Sequence, residues 1–190
     1  MIKVSIIYFS GAGSTAKLAE TVSKGATSVA GVTTQIIAIN GEDIINGRYQ
    51  NDEVMSTLDA SDAIIFGSPT YMGGVAAQFK AFADSSVSSW VDQKWRDKLA
   101  AGFTISGTPS GDKFSTLQYF HTLAMEHGMV WISLGEKPGQ ANGVNRLGSW
   151  GGLMTQADSQ STDGELHPGD KLTGELLGKR VAEYAVRIKG

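Results

Sequence analysis

The sequence contains no cysteine among its 190 residues. Disulfides, thiol nucleophiles and thiolate metal sites are therefore all excluded. The three histidines, His121, His127 and His167, are scattered along the chain and form no metal-binding motif, so we expect no bound metal. Any redox chemistry must then come from a cofactor that the chain binds.

Strong charge and long apolar runs are also absent. The net charge is only -3 and no basic run occurs, so we expect neither nucleic acid nor a membrane surface as a partner. The chain has no stretch of about 18 uninterrupted apolar residues, which predicts no membrane insertion. The apolar run at the N-terminus is too short for a signal peptide. We therefore expect a cytoplasmic protein that folds as a single domain over residues 1–190.

The N-terminus carries the clearest pattern in the chain. Residues 2–9 form an apolar run rich in β-branched and aromatic side chains, typical of a strand buried on both faces. A helical pattern begins at Thr15. Between strand and helix lies a turn of small and hydroxyl residues: Ser10, Gly11, Ala12, Gly13, Ser14 and Thr15. Because the first turn of a helix has free N–H groups and the positive end of its dipole, this turn is predicted to bind a phosphate through neutral donors.

The same turn has two other interpretations. It could be an ordinary tight turn in which Ser and Gly serve capping and backbone geometry. Gly11, Gly13 and Ala16 also match the dinucleotide-binding fingerprint, for which Glu42 or Asp43 would hold the ribose. A Walker phosphate loop is excluded, because the chain lacks Gly-Lys-Ser/Thr at the required spacing.

Apolar segments alternate with helical patterns along the chain. The predicted strands are 2–9, 32–39, 62–67, 99–105 and 129–134. One of the helical faces between them carries Phe114, Leu117, His121 and Ala124. This alternation predicts an α/β fold with a five-stranded, doubly wound parallel sheet and helices on both faces.

Residues 135–169 interrupt the alternation with eight glycines and Trp150. We interpret them as a Gly-rich insertion that forms an ordered cover, the alternative being a floppy insertion.

Three loops share one composition and one place in the predicted sheet. Parallel strands end at the same edge, and ligands of such sheets bind beyond that edge. The loops after the first, third and fourth strands are all rich in Gly, Ser, Thr and Pro, and they cover 10–15, 68–74 and 106–112. Their convergence is more specific than any one loop and predicts a ligand site there.

Motifs along the whole chain carry a family resemblance. They are, in order, Tyr8-Phe-Ser-Gly-Ala-Gly-Ser-Thr15, Phe66-Gly-Ser-Pro-Thr-Tyr-Met-Gly-Gly74, Trp90, Glu126-His-Gly-Met129 and Gly178-Lys-Arg-Val-Ala182. The chain resembles the flavodoxin-like NAD(P)H:quinone oxidoreductases of the WrbA type. The resemblance implies a flavodoxin-like fold, FMN as the cofactor, and a homo-oligomer, either a tetramer or a dimer.

The resemblance also implies roles for individual residues. Ser10 to Thr15 would bind the FMN phosphate, and Trp90 would border the substrate pocket. His127 would be the catalytic histidine, contributed across a subunit interface to donate a hydrogen bond or a proton to the substrate. The flavin ring would lie between the second and third loops, with the residues Pro69, Thr70, Tyr71, Met72, Gly73, Ser106, Gly107, Thr108, Pro109, Ser110 and Gly111.

The implied activity is FMN-dependent transfer of two electrons from NAD(P)H to quinones by a ping-pong hydride mechanism. Sequence reasoning keeps other functions open. A flavodoxin-type electron carrier would bind FMN in the same loops but dock on protein partners. A redox sensor without quinone reductase activity, and a nicotinamide-dinucleotide dehydrogenase, are the further alternatives. His127 could instead interact with the dipole at the end of a helix. Trp90 could instead pack against the hydrophobic core.

Overall fold

The computed structural model describes residues 1–157 and 165–189. The strands are β1 (Ile2–Tyr8), β2 (Val32–Ala38), β3 (Ile44–Ile45), β4 (Arg48–Tyr49), β5 (Ala63–Tyr71), β6 (Gly74–Val75), β7 (Leu99–Ser106), β8 (Val130–Trp131) and β9 (Leu153–Gln156). The helices are α1 (Ser14–Thr27), α2 (Asp52–Asp59), α3 (Ala77–Ser85), α4 (Val87–Val91), α5 (Lys113–Glu126) and α6 (Pro168–Lys189).

The main sheet is parallel and doubly wound, as predicted. Its strand order is β2-β1-β5-β7-β8, and the chain reverses its direction of growth between β1 and β5. Ile6 of β1 lies between Ile36 of β2 and Ile65 of β5. The predicted flavodoxin-like α/β fold is therefore confirmed, while the extent of the single domain, 1–190, stays a prediction.

Two hydrophobic cores lie on opposite faces of this sheet. Alternate residues of each strand point to opposite faces, so Ile6 joins one core and Ile7 joins the other. The first core packs the sheet against α1 and α6, and the second packs it against α2, α3 and α5. Helices thus cover both faces, which explains why the central strands are apolar throughout.

Helices α1 and α6 approach each other closely at two glycines. A β-carbon placed on Gly25 would lie 1.8 Å from the backbone oxygen of Glu175. One placed on Gly178 would lie 1.9 Å from the backbone oxygen of Val22. Only hydrogen fits at these positions, so the glycines set the distance between the two helices.

The fifth position of the sheet differs from the predicted continuous strand 129–134. Two short strands share it: β8 pairs with the first residues of β7 and β9 with the last four. The predicted Gly-rich insertion therefore contains a strand, Leu153–Gln156, which sequence analysis missed. Residues 158–164 of that insertion lie outside the described residues, so the predicted cover is described only for the remainder.

Smaller differences concern α5 and the region after β2. Phe114 was predicted on the buried face of α5, but it is exposed, and Phe120 packs into the core instead. His121 is exposed and contacts the Trp131 ring edge-on at 5.6 Å. A small hairpin of β3 and β4, which the sequence analysis did not predict, precedes α2 and buries Tyr49.

Candidate functional site

The three predicted loops meet at the carboxyl edge of the parallel sheet. They follow β1, β5 and β7, which are adjacent in the sheet. Tyr71 of the second loop reaches the first loop, since a β-carbon on Gly11 would lie 2.5 Å from the Tyr71 hydroxyl. The structure therefore brings the first two loops into contact, and glycine at position 11 makes room for the tyrosine.

The first loop presents free backbone donors at the start of α1. Gly13 is the N-cap residue, in the left-handed conformation with φ 88°, and as a glycine it has no side chain of its own to cap the helix. The hydroxyl of Ser10 accepts hydrogen bonds from the N–H groups of Gly13 and Ala16, at 3.1 and 3.3 Å. The first helical turn carries no acidic residue. This arrangement of N–H groups and hydroxyls, with Thr15 buried beside them, is suited to an anion.

The second loop is a hairpin with a two-residue turn. Tyr71 pairs with Gly74, and Met72 and Gly73 form the turn with φ values of 47° and 78°. Two consecutive left-handed residues are typical of a type I′ turn. The turn projects away from the sheet, so Met72 is fully exposed and Tyr71 is half exposed.

Buried hydroxyls hold the base of the second loop. The Thr70 hydroxyl lies 2.8 Å from the hydroxyls of both Thr104 in β7 and Thr116 in α5. The Ser68 hydroxyl accepts a hydrogen bond from the N–H of Ala76 at 2.9 Å and thereby closes the hairpin onto α3. Pro69 and Thr70, at the base of the loop, are therefore fixed in the core.

The third loop is fixed from below by a lysine that sequence analysis missed. Lys113, the first residue of α5, is fully buried. Its Nζ donates to the Ser106 hydroxyl at 2.8 Å and to the backbone oxygens of Thr108 and Pro109 at 2.8 and 2.9 Å. Burial, and next the Arg146 guanidinium, lower the pKa of Lys113. A lysine beside a Gly-rich turn is usually exposed, so no pattern in the sequence marks this one.

An ion pair lies beneath the same loop. Arg146, from the Gly-rich insertion, donates from Nε and Nη2 to the two carboxylate oxygens of Asp170, each at 2.8 Å. Asp170 belongs to the first turn of α6 and is almost completely buried. This bidentate pair joins the insertion to α6, so part of the insertion has an ordered structural role.

The donors of the three loops fit FMN. A phosphate group matches the acid-free start of α1, where Ser10, Ser14 and Thr15 supply hydroxyls. The second and third loops expose mostly uncharged residues on the same edge, among them Gly107, Pro109 and the Tyr71 ring. The residues present can therefore hold both the phosphate and a planar ring.

Trp90 and His127 lie at the other edge of the sheet. The backbone oxygen of Gly128, next to His127, accepts a hydrogen bond from the N–H of Asp97. Asp97 lies two residues before the start of β7. Helix α4, which carries Trp90, is joined through Ser89 to Asp59 at the end of α2. The length of β7, roughly 25 Å for eight residues, separates this edge from the three loops. Within one protomer the structure therefore does not bring Trp90 or His127 to the loops.

The surroundings of His127 are those of a packed side chain. The ring is 5% exposed and stacks on Trp95 with 4.2 Å between ring centroids. Its Nε2 lies 2.8 Å from the Ser86 hydroxyl, and within residues 1–157 and 165–189 its Nδ1 has no hydrogen-bond partner. Burial lowers the pKa of His127 to about 4, against a smaller opposing effect of Asp59. A neutral, enclosed imidazole of this kind seals the junction of α3, α4 and α5.

Trp90 is 47% exposed. It shares α4 with Val87 and Val91, which are also exposed. Trp95, in contrast, is fully buried, and its Nε1 donates to Asp59 at 2.8 Å. Trp90 is therefore available at the surface, whereas Trp95 is a core residue.

The described residues contain no group of three or more His, Asp or Glu side chains that could hold a metal ion. None of the helices within residues 1–157 and 165–189 is long and apolar enough to cross a membrane.

Comparisons with known proteins agree with this geometry. The family model described as NADPH-dependent FMN reductase matches residues 2–137. The chain is 36% identical to a protein of Pseudomonas aeruginosa named flavodoxin FldP, over 99% of both chains. It is 30% identical to a protein of Geotalea daltonii named NAD(P)H dehydrogenase (quinone), over 98% of both chains.

Solved structures give the same result. A WrbA-like flavodoxin from Agrobacterium tumefaciens is 38% identical, with a TM-score of 0.75 over 98% of this chain and 99% of that one. An archaeal flavodoxin, 19% identical, has a TM-score of 0.65 over 97% of this chain and 99% of that one, and it shows the shared fold alone.

Proposed function

This chain belongs to the NADPH-dependent FMN reductase family, with FMN as its cofactor, and we propose that it transfers two electrons from NAD(P)H to quinones. The single observation that carries the proposal is the convergence of three loops at the carboxyl edge, one of which leads into the acid-free first turn of α1. The Geotalea daltonii relative, 30% identical over nearly the whole chain, supports quinone as the acceptor by its name.

The loops would share the work of holding FMN. Ser10, Ser14 and Thr15 would hold the phosphate with the N–H groups of the first α1 turn. Pro69 to Gly73 would line one side of the ring, with the Tyr71 ring as an aromatic wall. Ser106 to Gly111 would line the other side, on a backbone fixed by Lys113. No ionised side chain of the described loops would need to contact the phosphate.

The bound flavin supplies the two-electron chemistry, and the chain supplies position and shielding from water. In the proposed ping-pong order, NAD(P)H gives up a hydride and leaves before the quinone enters. The quinone then gains two electrons and two protons. The nicotinamide ring and the quinone ring are both flat, so one open face beside Tyr71 and Met72 can serve each of them in turn.

A second copy of the chain would complete the site. Trp90 sits on an exposed apolar surface of α4 with Val87 and Val91, and it cannot reach the loops of its own protomer. We propose that a homo-oligomer, either a dimer or a tetramer, places this surface beside a neighbour's loops. The catalytic role of His127 stays a prediction as well, and it would require the imidazole to leave its enclosed position against Ser86 and Trp95.

Anaerobic stopped-flow absorbance tests the proposed activity. The FMN-loaded protein is mixed with NADH or NADPH, and then with benzoquinone. Bleaching by a nucleotide and reoxidation by the quinone, both faster than turnover, is the expected result. If neither nucleotide bleaches the flavin while FMN affinity is normal, the reductase assignment fails.

An electron carrier is the second candidate function. The Pseudomonas aeruginosa relative that is 36% identical over the whole chain has the name flavodoxin. The exposed hairpin tip with Tyr71 and Met72 also offers an apolar contact surface beside the proposed flavin position. If nucleotides do not bleach the flavin but a reductase protein reduces it rapidly, the result favours the electron carrier. A redox sensor would be reduced rapidly by neither the nucleotides nor the reductase.

A further inference from the structure

Lys113 carries a full positive charge in the core directly beneath the third loop. Its three hydrogen bonds go to the Ser106 hydroxyl and to the backbone oxygens of Thr108 and Pro109. The Ser106 hydroxyl donates its hydrogen to the backbone oxygen of Thr108, so it accepts a hydrogen bond from Lys113. Three accepting oxygens require three N–H donors, and only the protonated ammonium has three.

This charge is compensated only in part, by the nearby carboxylate of Asp170. No ion pair within residues 1–157 and 165–189 includes Lys113. The nearby carboxylate of Asp170 is already paired with Arg146 through two hydrogen bonds. The cluster of Lys113, Arg146 and Asp170 therefore carries one net positive charge, with Lys113 and Asp170 buried and Arg146 partly exposed.

The position is unfavourable in two respects. A buried ammonium loses its hydration, and hydrogen bonds to neutral oxygens replace it only in part. Lys113 is also the first residue of a 14-residue helix, where the dipole is positive and disfavours a cation. Keeping a charge here therefore costs free energy that the three hydrogen bonds to the loop offset only in part.

The third loop is bent tightly over this ammonium. Gly111 and Asp112 both have left-handed backbones, with φ 52° and 50°. For the non-glycine Asp112 such a conformation is strained. A β-carbon on Gly111 would lie 2.0 Å from the Ser106 hydroxyl. The end of the loop therefore folds back onto the serine that accepts a hydrogen bond from Lys113. The carbonyls of Thr108 and Pro109 point inward to the lysine, which leaves the outer face of the loop without those acceptors.

We propose that Lys113 is a positioning residue that favours reduced FMN over oxidised FMN at this site. The inference rests on the proposed placement of the flavin ring against the third loop. FMN gains negative charge on its ring when it is reduced by two electrons at neutral pH. A fixed ammonium beneath the loop attracts that charge through a medium with little water, while the oxidised, uncharged ring gains little.

The test compares the affinities of oxidised and reduced FMN for wild-type protein and for Lys113→Met. We expect Lys113→Met to weaken the binding of oxidised FMN by less than about tenfold. The loss of affinity for reduced FMN should be at least about ten times larger than that for oxidised FMN. By linkage, a tenfold change in that ratio lowers the two-electron midpoint potential of bound FMN by about 30 mV. Spectroelectrochemical titration of the loaded protein measures this potential independently of any enzyme activity.

Two further variants separate charge from folding. Lys113→Gln is neutral but keeps an amide donor for the loop oxygens, and it should lower the potential as Lys113→Met does. Lys179→Met removes an exposed lysine of α6 and should leave both affinities unchanged. Thermal unfolding of each apoprotein checks that the variant folds. If Lys113→Met does not fold, the affinities of Lys113→Gln alone test the role of the charge.

A purely structural lysine would give a different result. Loosening of the loop weakens both redox forms equally, so a ratio within threefold of wild type in both neutral variants would overturn the inference. If the wild type itself binds FMN weakly, or if the third loop does not contact the flavin, the proposed site fails instead. Fluorescence titration of the wild-type protein with FMN identifies that failure, and normal affinity with an unchanged ratio overturns the role of Lys113 alone.

Discussion

The Ser86 hydroxyl fixes the tautomer of His127. Ser86 donates its single hydroxyl hydrogen to the backbone oxygen of Ala83 at 2.7 Å, so it must accept from Nε2 of His127 at 2.8 Å. The imidazole is therefore neutral, with its hydrogen on Nε2 and a buried, unpaired lone pair on Nδ1. Protonation at Nδ1 would bury a charge against the Trp95 ring, and Asp59 would offset the cost only in part.

Stability should depend on pH through His127. Its pKa is about 4 in the folded protein and about 6.5 when the chain is unfolded. Between these values the unfolded chain binds the additional proton, so the free energy of unfolding falls as pH decreases from about 6.5 to 4. The contribution is fully present above pH 6.5, and its loss amounts to about 3 kcal/mol.

Urea unfolding at pH 7.5, 5.5 and 4.5 measures this loss. The His127→Phe variant keeps an aromatic ring against Trp95 but cannot titrate, so its free energy of unfolding should decrease less over the same range. An equal decrease in wild type and variant would assign the acid sensitivity to other groups.

Replacing Ser10 and Thr15 together with alanine should remove FMN from the purified protein. The Ser10 hydroxyl also organises the turn by accepting from two N–H groups. Loss of two hydrogen bonds to a charged phosphate is worth about 3 kcal/mol, which corresponds to roughly 100-fold weaker binding. Fluorescence titration with FMN measures the affinity. The matched variant Ser56→Ala and Thr122→Ala removes two exposed hydroxyls on α2 and α5, and unchanged binding in both double variants would refute the phosphate site.

Trp90→Ala should raise the KM for benzoquinone about three- to tenfold, the value of one aromatic contact, with little loss of bound FMN. The exposed Ile188→Ala serves as the control, since it lies at the far end of α6. Steady-state kinetics and the FMN content of each protein are measured side by side. If FMN is lost before the KM changes, Trp90 has a packing role and the proposed pocket is wrong.

Gly178→Ala should destabilise the protein by about 3 kcal/mol or more. The new methyl group would lie 1.9 Å from the backbone oxygen of Val22, and neither helix backbone can move without opening the core between α1 and α6. Gly41→Ala is the control, because it meets no atom within 4 Å. Thermal unfolding compares the two variants, and equal melting temperatures would show that the helices can separate at little cost.

The sequence predicted the regular parts of this fold because they have clear periods. The strands around Ile6, Ile65 and Phe103 are buried on both faces and form continuous apolar runs, and their bounds agree within a few residues. The third strand continues to Tyr71, beyond the predicted end at Gly67, since its last residues pair within the hairpin. The convergence of the three loops followed directly from the parallel topology.

The missed features depend on tertiary contacts. The four residues from Leu153 to Gln156 form a strand only because the end of β7 is free to pair with them. Lys113 has no local sign of burial, since charge normally places a residue at the surface. The enclosure of His127 depends on Ser86 and Trp95, which are distant in sequence. Phe114 was misplaced because α5 buries Lys113 and Thr116 in its first turn in place of an apolar residue.

The division of the fifth sheet position into β8 and β9 affects how this protein can change over evolution. Both halves pair with the same strand, β7, so the exposed residues 137–142 between them can vary in number without altering any strand register. Closing a longer excursion costs only about 0.6 kcal/mol for each doubling of its length. New sequence can therefore enter the molecule at this border, and whole modules could be grafted there, while the other four strands and their loops keep their positions.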